Sequence, residues 1–70
     1  MRPKAGDKVQ NQYDGVIATI KSIDGNSVTV VYDDMKSLRN EFGAEAKELY
    51  NQTEELPMDK FKKAWDRKEY

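Results

Sequence analysis

Val16-Ile17-Ala18-Thr19-Ile20-Lys21-Ser22-Ile23, then Asp24-Gly25-Asn26, then Ser27-Val28-Thr29-Val30-Val31-Tyr32 is the stretch that decides the fold. Two β-branched runs flank a turn signal. Asp24-Gly25 predicts a hairpin with a type I′ turn, which needs positive φ at both central residues. Alternation puts Val28, Val30 and Tyr32 on one face of the returning strand, with Thr29 and Val31 on the other. On the outgoing strand Ala18 and Ile20 share a face, opposite Ile17 and Thr19. Ile23 breaks that register and predicts a bulge near Ser22, the usual way a strand is bent.

Outward from the hairpin, residues 8–12 form a short polar strand anchored by Val9. Tyr13-Asp14-Gly15 reads as a turn, because Asp and Gly tolerate the backbone conformations that tight turns require. Downstream, Asp33-Asp34-Met35-Lys36 marks a second polar turn. Residues 37–42 are expected to form a fourth strand with Leu38 and Phe42 inward. After Gly43 the period changes: Phe42, Ala46, Leu49 and Tyr50 fall on one helical face. Residues 44–51 are read as two helical turns, with a strand end followed by a loop as the alternative, and 51–55 as a connector. A final helix starts at Pro57, which suits a first turn, and caps the sheet to about residue 68. Met58, Phe61 and Trp65 form its apolar stripe.

The chain has 70 residues, 36% of them charged, with a net charge of −1. A domain of this size buries only about 60% of its unfolded surface, so its stability margin is roughly 3–5 kcal/mol. With neither cysteine nor histidine in the chain, disulfide staples and the usual zinc ligand sets are excluded. The core must come from Val9, Val16, Ala18, Ile20, Ile23, Val28, Val30, Tyr32, Leu38, Phe42, Leu49, Phe61 and Trp65. The chain has no apolar run near the ~20 residues a membrane span needs and no apolar leader after Met1-Arg2-Pro3-Lys4, so a cytoplasmic protein with no membrane partner is expected.

Gly6-Asp7-Lys8-Val9, the turn at Gly15, and Val28-Thr29-Val30 resemble the opening of SH3-like barrels of the KOW and Tudor type. The resemblance covers residues 6 to 34. It implies a small antiparallel barrel and a binding role without chemistry. KOW-type modules contact RNA or ribosomal and polymerase partners; Tudor-type modules cage methylated side chains with aromatic rings. Here a cage could draw only on Tyr13, Tyr32, Phe42 and Tyr50, with Asp33 or Asp34 to favour a cation.

The residue inventory points the same way. Histidine does most general acid–base catalysis, and it is absent. The pairs Asp33-Asp34 and Glu54-Glu55 read as turn and linker residues first and match no calcium loop, and no glycine-rich phosphate loop occurs. The chain is therefore not expected to be an enzyme or to carry a cofactor or metal. Nucleic-acid affinity rests on phosphate neutralisation, and a pI near 5.3 opposes it. Lys60, Lys62, Lys63, Arg67 and Lys68 are offset by Glu54, Glu55, Asp59, Asp66 and Glu69, the pattern of a solvated face.

The expectation is an α+β chain: a single small SH3-like antiparallel β-barrel of four or five strands, with one or two C-terminal helices packed on it. Its expected function is that of a noncatalytic protein-binding module, a small regulatory or accessory protein. Tyr13, Tyr32 and Tyr50 are the candidate contacts. The alternative is a KOW-like nucleic-acid-binding barrel that uses Lys4, Lys8, Lys21, Lys36 and Arg39.

Overall fold

The computed structural model describes residues 2–67. In chain order the elements are β1 (Lys8–Asn11), β2 (Ile17–Asp24), β3 (Ser27–Val31), α1 (Met35–Phe42), a 3-10 turn (Gly43–Glu45), α2 (Ala46–Leu49), β4 (Thr53–Pro57), α3 (Met58–Ala64) and β5 (Trp65–Arg67). The architecture is α+β, with a five-stranded sheet in the order β4-β3-β2-β1-β5. Every neighbouring pair is antiparallel. The sheet is open, with β4 and β5 as its edges, so the barrel expected from sequence is not closed: its two edge strands do not pair.

The hairpin of β2 and β3 forms as its residues dictate. Ile20 faces Val30, and the register slips between Ile20 and Ser22, which is the bulge that Ile23 required. Asp24 faces Ser27, so Gly25 and Asn26 are the central residues of the turn. Gly25 has φ +60° and Asn26 is not in the left-handed region. That is the sign pattern of a type II′ turn, with glycine first, rather than the type I′ expected from Asp24-Gly25.

The inner row of the sheet carries Val9, Ala18, Ile20, Val28 and Val30, all buried, and α3 and β5 add Phe61 and Trp65. A second cluster of Val16, Leu38 and Ala46 joins α1 and α2 to the start of β2. Tyr32 packs against both clusters and stands between them. Its ring lies 6.0 Å from that of Trp65, tilted by 53°.

Four further expectations are corrected. Residues 37–42 are helical, because Asp34 accepts the Ser37 N–H at 3.0 Å as an N-cap, worth about 1 kcal/mol. Phe42 lies at the end of that helix and is 37% exposed rather than inward. The supposed connector at 51–55 is largely β4, an edge strand in which only Leu56 packs on the core. The last helix is confined to Met58–Ala64; Trp65 begins β5, opposite Asn11 of β1, and is buried there. Two helices thus lie between β3 and β4, and one follows β4. The far end of the expected cap, Lys68 and Glu69, lies outside the described residues. No helix among the described residues is long and apolar enough to cross a membrane.

Candidate functional site

Three chain segments converge beside Tyr32, each fixed by local hydrogen bonds. The turn between β1 and β2 is held by Asn11, whose side-chain oxygen accepts the N–H groups of Tyr13 and Asp14 at 2.8 and 3.3 Å. The Asp14 carboxylate then accepts the Val16 N–H at 3.0 Å, which sets Asp14 beside the start of β2. The second segment is α1, anchored by Ser37. Its hydroxyl accepts the Ile17 N–H at 2.9 Å and donates to the Asp34 carbonyl at 3.1 Å. Buried Ser37 thus has both roles filled, as a hydroxyl in an apolar setting must.

The third segment leaves α2. Asn51 adopts φ +68°, the one left-handed non-glycine among the described residues. This bend lets its N–H reach the Tyr32 carbonyl at 2.7 Å, while the Tyr32 N–H donates to the Gln52 carbonyl at 2.9 Å. Gln52 and Thr53 are thereby held alongside Tyr32.

Between the three lies a hollow of about 500 Å³. Val16, Leu38 and Leu49 supply its apolar floor, and the rings of Tyr32 and Phe42 line it. Three carboxylates, those of Asp14, Glu48 and Glu54, also line it, and none of its described lining residues is basic. No three acidic groups among the described residues converge to hold a metal ion. The carboxylates are therefore spread around an apolar hollow, which suits an organic cation with a hydrocarbon stem better than a bare ion.

Tyr32 donates its phenolic hydrogen to Glu54. Burial, reinforced by that hydrogen bond and by the charges of Glu54 and Asp14, pushes its phenol well above the ordinary tyrosine range. The raised value means that the folded state holds the proton while an unfolded chain releases it near pH 10. The resulting stability is full below about pH 10 and is lost as the pH rises beyond it. Tyr32→Phe is expected to cost about 1 kcal/mol at neutral pH, since the acceptor is exposed. It should also flatten the decline in urea midpoint between about pH 9 and 11.5. An unchanged alkaline decline in the variant would place the titrating group elsewhere.

The aromatic cage expected from sequence is not assembled as drawn. Tyr32 and Phe42 meet in the hollow, but Tyr13 is 77% exposed on its turn, and neither Tyr13 nor Tyr50 lines the hollow. Asp33 accepts the Thr19 hydroxyl at 2.9 Å and Asp34 caps α1, so both expected acidic partners are engaged elsewhere. The acids that do line the hollow went unrecognised in the sequence. Of the basic candidates, Lys4, Lys8 and Lys21 are exposed, the last two on β1 and β2. Lys36 and Arg39 are exposed on α1 and line different shallow hollows, neither of them shared with Lys8 or Lys21.

Comparison with known proteins finds no matching family model, curated protein or solved structure.

Proposed function

We propose that this chain is a noncatalytic protein-binding module of SH3-like design, a small regulatory or accessory domain. Its hollow takes a lysine or arginine side chain of a partner protein. One observation carries this reading: apolar and aromatic walls are combined with three carboxylates, and no described lining residue is basic. An alkyl stem would cover the floor, and the charged head would sit against Phe42 and the acids, where cation–π contact adds about 0.5–2 kcal/mol. The same acids would repel phosphate, which disfavours the nucleic-acid reading at this site. The bulged β2 and the return of β5 to β1 support a sheet curled in the manner of a small barrel.

The test is chemical-shift mapping with N-acetyl-lysine methylamide and its uncharged norleucine counterpart. The lysine compound is expected to move the Tyr32, Leu49 and Thr53 amides, and the norleucine compound to leave them. Phe42→Ser, at an exposed position, should weaken the lysine response by about fivefold or more. Equal shifts from both compounds, or an RNA oligonucleotide binding at low salt where lysine does not, would overturn the reading.

A further inference from the structure

Strand β4 borders the hollow through Thr53 and Glu54 and is also an open edge of the sheet. Its hydrogen-bond phase follows from the bonds that flank it. Tyr32 N–H donates to the Gln52 carbonyl, and Met58 N–H to the Asn26 carbonyl. Within the β3–β4 register these make the even-numbered residues of β4 the ones bonded to β3. The main chain of Thr53 and Glu55 then points away from β3, toward the open side. Pro57, with no N–H, ends that usable edge at the α3 side. Thr53, Glu54 and Glu55 are all exposed, and among the described residues no strand but β3 pairs with β4.

The side chains select what can pair there. Glu54 stands opposite Val30, in the inner row, and reaches the hollow; Glu55 stands opposite Thr29, on the outer face. Adjacent glutamates therefore present one negative charge to each side of a strand laid against β4. A second copy of this chain pairing through β4 would bring four carboxylates together, which is unfavourable. An extended segment with two adjacent basic residues would place one cation toward each glutamate, the inner one at the mouth of the hollow.

We infer that a basic, extended segment of a partner protein adds to β4 as a sixth strand, with adjacent Lys or Arg residues straddling Glu54 and Glu55. This rests on the cation-binding reading of the hollow and extends it from one side chain to a backbone register.

The probe is the capped peptide Ac-Val-Thr-Lys-Lys-Thr-Val-amide, titrated into the full chain beside two isomers N-methylated on alternate residues, one for each phase. N-methylation removes the donors on one edge of an added strand only. One isomer is expected to lose about tenfold in affinity, while the other binds like the parent. The parent peptide should also slow hydrogen exchange at the Glu55 amide, and Glu55→Lys should weaken it. Equal affinity of the two isomers, or no binding by the parent, overturns strand addition. The hollow reading still stands in either case if acetyl-lysine methylamide continues to move the Tyr32 and Thr53 amides. A concentration-dependent dimer that protects Glu55 without peptide would assign the edge to a second copy and overturn the proposal.

Discussion

Trp65→Ala is expected to leave the chain largely unfolded at 25 °C. Trp65 is 5% exposed and packs in the same cluster as Val9, Ala18, Ile20, Val28, Val30 and Phe61. It is also the first residue of β5, opposite Asn11, so its side chain and backbone secure the same edge of the sheet. Truncating a buried tryptophan costs about 3–5 kcal/mol, because the space left behind closes only partly. A cysteine-free domain of this length has a margin of roughly the same size. Removal of the indole also deprives Tyr32 of its aromatic neighbour, which loosens the wall of the hollow at its inner side. Circular dichroism melts check the outcome: the alanine variant should show no cooperative transition above room temperature. Trp65→Phe, which keeps an aromatic ring in place, should retain a transition at a lower midpoint. A melt of Trp65→Ala close to that of the parent would mean that the second cluster, rather than this one, sustains the fold.

The parts that sequence made legible are those in which one local signal excludes the alternatives. The inner and outer rows of β2 and β3 follow from strict alternation of β-branched residues, and the bulge follows from one apolar residue out of phase. Only the choice between turn types needed the structure. The fourth segment was illegible because Leu38 and Phe42 are four apart, a spacing shared by a strand face and a helix face. The deciding feature is the capping bond that the Ser37 N–H donates to the Asp34 carboxylate, a side-chain–backbone contact that the two-residue period cannot reveal. Strand β4 went unseen because an edge strand needs few apolar residues; Thr53, Glu54 and Glu55 look like a linker until the register with β3 is known. Trp65 satisfied helical spacing from Met58 and Phe61 equally well as the last residue of a helix or the first of a strand.

The hollow was half legible for a different reason. Tyr32 and Phe42 could be picked out as aromatic, but Asp14, Glu48 and Glu54 sit on three separate elements. Their placement around one hollow depends on the left-handed Asn51 and on the Asn11-held turn. Local charge pattern drew attention to the adjacent pair Asp33 and Asp34, which the fold spends on a threonine hydroxyl and a helix cap.

Leu38→Ala is expected to abolish lysine binding while leaving the hairpin amides among the slowest to exchange. Leu38 is fully buried at the centre of the second cluster, between Val16 and Ala46, with Met35, Leu49 and Tyr32 around it. Its truncation costs about 2–5 kcal/mol, and the loss falls first on α1 and α2. Those helices have eight and four residues, far below the length at which a helix persists without tertiary support. Their docking depends on the bond that the Ile17 N–H of β2 donates to the Ser37 hydroxyl and on the Leu38 contact, so with Leu38 gone the helical segment opens before the sheet does. The floor of the hollow contains Leu38 and Leu49, and Glu48 lies on α2; all three leave the site together when the segment opens. Hydrogen exchange read by residue distinguishes this from global unfolding: Leu38 and Ala46 amides should exchange fast while Ile20 and Val30 stay protected. Leu38→Met, which conserves volume, is expected to cost less than about 1.5 kcal/mol and to keep lysine binding. Uniform loss of protection at all four amides would mean that the two clusters fold as one cooperative unit joined through Tyr32.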